Sequence, residues 1–152
     1  MEVLFIKFNY IDMLNQYLTN IFIFKNNLYN LYFNLKGEGI DSILIDLQND
    51  LNKFNIYYEK LSILIKKIGG YPIMNLEEVK SISTIKQISS KDYTLKETKG
   101  ILINDFKVIN SMNNQVGEYA LKNYDFQSIN LILDLNNFLS NRIYQLKKNY
   151  NI

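Results

Sequence analysis

One stripe of apolar residues limits the fold more than any other feature. Ile40, Ile43, Leu47, Leu51, Phe54, Tyr58, Leu61, Ile65 and Ile68 recur at steps of three and four. That period matches the turn of an α-helix, so the stretch reads as one long helix that buries a single side. Its end is marked three times. Lys66 and Lys67 complement the C-terminal dipole, Gly69 can cap the last turn, and Pro72 blocks resumption. A helix of roughly 25–28 residues is about 40 Å long, and only partners of similar length can cover it.

Three more segments supply such partners. The first carries Ile11, Leu14, Leu18, Ile21, Leu28, Leu31 and Leu35, breaks step at Lys25, and closes at Lys36-Gly37. The third opens at Thr94 with Glu97 three residues on, a capping box, and continues through Leu95, Leu102, Phe106, Ile109, Met112, Val116 and Tyr119 to a stop at Asn123. The fourth begins behind Asp125 and runs through Ile129, Ile132, Leu139, Ile143, Leu146 and Tyr150.

The links set the topology. Segments one and two, and three and four, are joined by a few residues, so each pair forms an antiparallel hairpin. The link from Gly69 to Tyr93 is roughly 25 residues, long enough to run the length of a bundle and return the chain to its starting end. A cap at Asn75, acids at Glu77 and Glu78 and a late Lys80 predict a short helix inside it. The expectation is an all-α, ferritin-like four-helix bundle in one domain over residues 1–152. Its long crossover lies between helices two and three and carries a short extra helix.

Composition removes whole classes of chemistry. With no cysteine, thiolate metal sites, disulfides and thiol catalysis are excluded. With no histidine, there is no imidazole ligand or general base. A net charge of +2, almost all of its basic side lysine with Arg142 the only arginine, does not imply a polyanion partner. Heavy use of Asn, Ile, Lys and Tyr looks like A·T-rich coding, so single asparagines and tyrosines receive little functional weight. Tyr29, Tyr32, Tyr57, Tyr58, Tyr119, Tyr124 and Tyr144 are read as core or interface residues. The leader from Met1 to Phe8 carries Glu2 and Lys7 and lacks the plan of a signal peptide, so it reads as a packing or docking segment. The run Ile21 to Phe24 stops at Lys25, short of a membrane span, so a cytoplasmic protein with no membrane partner is expected. Asp46 and Asp50 could share a helix face and are read as solvated acids, with metal collection as the alternative.

The chain resembles the Dps family, the miniferritins also called DNA-binding proteins from starved cells. The likeness rests on Leu28 to Gly37, on Gly69-Gly70 with Pro72, on Ser83-Thr84-Ile85, and on the run from Asp125 through Arg142-Ile143-Tyr144. It spans about Asn15 to Tyr150 and implies a hollow homododecamer. In that family a ferroxidase site lies between subunits, with two histidines from one and two carboxylates from its neighbour, often helped by a further acid. Carried over residue by residue, the histidines fall on Tyr32 and Leu44, the helping acid on Gln48, and the carboxylates on Glu59 and Ile63. The family's tryptophan falls on Phe33. One ligand of five remains, so the resemblance implies a degenerate site without ferroxidase activity. The intrasubunit ferritin site is absent as well, since Glu59 is followed three residues on by Ser62 and not by histidine.

Family cages admit iron through acidic threefold pores, for which Asp125 and Asn130 are the matching positions. For Asp125 a helix cap and a cation guide stay open as alternatives. Tyr29, Tyr32 and Leu44 fall at the subunit contact, where packing is expected to have replaced metal. The function expected is a structural or protective shell subunit in stress or iron homeostasis, one that can co-assemble with an active paralogue. The alternatives are a miniferritin that stores iron in its interior by passive mineralisation, and a multivalent cage that binds DNA or a partner. DNA has weak support, because the leader holds only Lys7 and the Lys147-Lys148 cluster is small.

Overall fold

The computed structural model describes the backbone of residues 2–149 and the side chains of residues 10–148. Five helices follow in order: α1 (Glu2–Asn34), α2 (Asp41–Lys67), α3 (Leu76–Ile82), α4 (Leu95–Lys122) and α5 (Phe126–Asn149). The four long ones form the bundle and α3 lies in the crossover, as the periodicity and link lengths predict. None of the described helices is long and apolar enough to cross a membrane.

The predicted punctuation is largely in place. Gly69 takes a φ of +93° past the end of α2, with Lys66 and Lys67 in the last turn, and the Gly70 amide returns to the Ile65 carbonyl at 2.9 Å. Asn75 caps α3 by accepting from the Glu77 and Glu78 amides. Thr94 and Glu97 make both halves of the capping box that starts α4, and Asn123 closes that helix. One boundary moves. Helix α1 stops at Asn34 rather than at Lys36-Gly37, because the next residues pair with the start of α4. The Tyr93 amide donates to the Asn34 carbonyl and the Lys36 amide to the Tyr93 carbonyl, both at 2.9 Å, and Lys36 pairs with Asp92 instead of with a helix end. The leader side chains and Tyr150 lie outside the described residues.

That pairing proves the crossover. It puts the beginning of α4 beside the end of α1, so α4 runs antiparallel to α1 and parallel to α2. The buried core is continuous across all four long helices. Phe24 of α1 meets Phe54 of α2 and Phe106 of α4 edge-on at 4.8 and 5.0 Å, and Phe138 of α5 reaches Phe54 at 5.8 Å. At Gly117 a Cβ would stand 3.0 Å from the Ile132 side chain, so the missing side chain lets α5 lie close against α4.

The asparagines, discounted on composition, hold the crossover down. Asn15 donates to the Tyr71 carbonyl and accepts from the Ile73 amide at 3.0 and 2.9 Å. One turn and a half on, the fully buried Asn20 accepts from the Thr84 and Ile85 amides at 2.7 and 3.1 Å and from the Ser83 hydroxyl at 2.8 Å. Asn27 donates to the Lys86 carbonyl and accepts from the Ile88 amide, and Asn30 reaches the Ile88 and Ser89 carbonyls. An irregular segment has no ladder of its own, so its backbone groups must find partners elsewhere or be orphaned on burial. Side-chain amides, with donors and acceptors on one short stem, fill that need.

Two outcomes follow. Asn20→Ala leaves the Thr84 amide unpaired and the Ile85 amide with only the Ser83 hydroxyl, at a cost of about 1–3 kcal/mol in urea unfolding, with faster amide exchange over residues 83–88 than over α2. Asp105 accepts from Asn27 at 3.1 Å, and burial pushes its carboxyl up to about 6. A raised carboxyl favours the folded state below the ordinary value near 4, and that advantage is lost as the pH rises through 6. The parent should therefore weaken between about pH 4 and pH 6.5, and the Asp105→Asn variant should weaken less over that window, keeping only the share of the other raised carboxyl, Asp50.

Candidate functional site

The residues expected at the ligand positions lie along α1 and α2. Tyr32 is half-buried and stands edge-on to Phe33 at 5.2 Å. Leu44 is partly buried and packs against the core. Gln48, Glu59 and Ile63 are exposed on α2, with Ile63 55% accessible. They recur on one outward face with Ile45, Asn52 and Ile56, all of them exposed at helical spacing. From α1, Tyr29 stacks against Phe33 at 6.3 Å and accepts from the Asn55 amide at 3.3 Å. Phe33 is 73% accessible. The result is a face of aromatic and branched aliphatic side chains in which one carboxylate stands alone.

That carboxylate has a cation of its own. Lys25, the residue that broke the α1 stripe, is half-buried with its ammonium 4.3 Å above the Tyr58 ring. Burial lowers the Lys25 pKa and the nearby charge of Glu59 opposes that shift. A positive group beside Glu59 repels a second cation, and neither leucine nor isoleucine offers an oxygen to a hydrated metal ion. Among the described residues no three acidic side chains come together in a way that could hold a metal.

Several of the other acids are committed to the fold. Asp50, expected as a solvated acid, is fully buried and clamps the only arginine. Arg142 Nε and Nη2 each donate to one Asp50 oxygen at 2.7 Å, while its guanidinium lies 5.4 Å from the Phe106 ring. Burial pushes the Asp50 carboxyl up, and the hydrogen bonds and charge of the guanidinium oppose that shift. Asp46, one turn earlier, is half-buried. The pair was hidden in the sequence because Arg142 occupies a seam position of α5 between Leu139 and Leu146, where the apolar stripe passes to Ile143. An ion reading as a step in a 3.6-residue pattern is the one available signal.

Asp125 does cap α5. Its Oδ1 accepts from the Ser128 amide at 3.3 Å, and Oδ2 accepts from the Tyr10 hydroxyl at 3.0 Å and from the Ser128 hydroxyl. Asn130 is exposed on the same helix. Mid-bundle, where four facing helices could build a dinuclear site, α1 gives Tyr17, α2 Tyr57 and α4 Asn113, while Asp134 of α5 reaches Tyr57 from the surface. They pair as phenol to amide at 3.0 Å and phenol to carboxylate at 2.9 Å. Burial raises the pKa of both phenols, so they serve as neutral donors. Of the remaining tyrosines, Tyr58 and Tyr119 are partly buried, whereas Tyr124 and Tyr144 are exposed.

Comparison with protein-family models finds no match, and neither does comparison with curated proteins. Solved structures match along nearly the whole chain. The Dps protein of Vibrio cholerae O1, described as a member of a broad superfamily of ferritin-like diiron-carboxylate proteins, superposes with a TM-score of 0.88 at 15% identity, over 94% of this chain and 89% of that one. Antigen TpF1 of Treponema pallidum gives 0.92 at 15% identity, over 97% and 94%. Dps of Staphylococcus aureus gives 0.84 at 22% identity, over 91% and 93%. The chain therefore has the Dps-like form of the ferritin fold, a four-helix bundle with a short helix in its crossover.

The buried pair gives a sharp test. Arg142→Ala strands a charged Asp50 in the core and should cost about 3–5 kcal/mol. The double variant Asp50→Leu with Arg142→Met should recover most of that loss in urea unfolding. Losses that simply add would show that the two residues are not coupled.

Proposed function

We propose that this chain is a single ferritin-like unit over residues 1–152 and a subunit of a Dps-like hollow dodecamer. In this reading the cage has lost its ferroxidase centre and acts as a structural or protective shell in iron or stress homeostasis. The observation that carries it is the α1–α2 face, where a fold of this type presents Tyr32, Leu44, Gln48 and Ile63 around a solitary Glu59. The degenerate site is supported by what those side chains can do: a phenol, an amide and two hydrocarbons do not bind ferrous iron with open positions for an oxidant. Co-assembly with a ligand-bearing paralogue fits the same reading, since an intersubunit site can be completed from a neighbour.

The exposed Tyr29, Phe33, Ile45, Ile56 and Ile63 support packing in place of metal. Burying such side chains against a second copy removes apolar area from water at about 25 cal/mol per Å². Tyr32 and Leu44, closer to the core, would then set the shape of that contact.

Native mass measurement with and without ferrous iron tests the proposal. The expected result is a particle near twelve times the 18.0 kDa chain, with ferrous oxidation by oxygen or peroxide at the rate of a protein-free control. Tyr32→Ala with Leu44→Ala should shift the particle toward monomer or dimer while helicity is kept. Saturable iron oxidation faster than the control defeats the loss of the centre. A stable monomer at micromolar concentration defeats the shell. Mineral-filled particles without faster oxidation favour passive storage.

A further inference from the structure

We propose that the groove between α2 and α5 binds an oligophosphate chain, at a site that meets the α1–α2 face at Ile63. The groove encloses about 580 Å³ and is lined by Lys60, Lys67, Gln127, Asn130 and Asp134 over a floor of Ile63, Leu64 and Leu131. That volume lies in the range of small-molecule sites.

Its charge is ordered. Lys53, Lys60 and Lys67 are seven residues apart, so each stands about 10 Å along the helix from the next and on nearly the same side. All three face α5. Lys60 and Lys67 line the groove beside α5 residues, and Lys53 places its ammonium 5.7 Å from the Tyr57 ring and 5.8 Å from the Phe138 ring of α5. A row of ammoniums on one wall suits a ligand with several negative charges in line, since lysine meets phosphate as a mobile point charge. Opposite, the side-chain amides of Gln127 and Asn130 can donate to phosphate oxygens.

One acid lies in the groove, and it is already engaged. Asp134 accepts from the Tyr57 hydroxyl at 2.9 Å. Lys60 and Lys67 against that single carboxylate leave the groove positive, with Lys53 two turns further along α2, although the whole chain is almost neutral. The apolar floor gives a flat, dry surface on which the organic part of a nucleotide could also rest, so the shared chemistry is the phosphate chain and its source is for the experiment to decide.

Calorimetric titration of the full-length protein with inorganic tripolyphosphate, and separately with ATP, without divalent cations, tests the site. Saturable binding is expected, weakened about tenfold or more by Lys60→Gln with Lys67→Gln. Lys80→Gln with Lys122→Gln, outside the groove, should leave it unchanged. Asp134→Asn should tighten it severalfold by removing the one repulsive charge. Equal affinity for the two probes assigns a free polyphosphate, and tighter ATP assigns a nucleotide whose base uses the apolar floor. Unchanged binding in the Lys60 and Lys67 variant, equal loss in both lysine variants, or no saturable binding of either probe overturns the proposal. Helical circular dichroism of each variant guards against misfolding.

Discussion

The descent of the crossover along α1 is the constraint on which the rest depends. Four long helices can pack in several orders, and apolar stripes alone do not choose among them. Here the choice is fixed by polar groups: Asn15, Asn20, Asn27 and Asn30 meet residues 71–89 in sequence, and the Leu35–Tyr93 bridge locks the far end. Because these amides are buried among Leu14, Leu18, Ile21 and Leu31, an alternative register would strand several donors and acceptors at once. Parallel α2 and α4, and the open outer faces of α1 and α2, follow from that lock.

The helices, their caps and the crossover were legible because each is written locally. A capping box needs two residues three apart, and a stripe needs only its period. What escaped was polar and long-range. Asp50 and Arg142 are 92 residues apart in sequence, and Tyr57 and Asp134 are 77 apart. Nothing near either partner says that it is buried. The asparagines escaped for a different reason: in an Asn-rich chain their abundance masks the few that matter, and only burial separates Asn20 from the exposed Asn26. The first helix ran short of its pattern because a tertiary bridge outcompeted the last turn.

The candidate site was legible only as a set of substitutions against a family pattern. The geometry adds what replaced it. Lys25 puts positive charge near Glu59, Tyr32 stands edge-on to Phe33, and Asp50 is closed in by Arg142. Basic and hydrocarbon groups thus occupy the places that a cation would need, which is the physical basis of the proposed loss of ferroxidase chemistry.

Anomalous diffraction at the iron edge, from crystals grown or soaked with ferrous iron, tests the central claim most directly. The account predicts no ordered iron between Tyr32 and Leu44 of one protomer and Glu59 of its neighbour. Two resolved iron peaks a few ångströms apart at that position would contradict it.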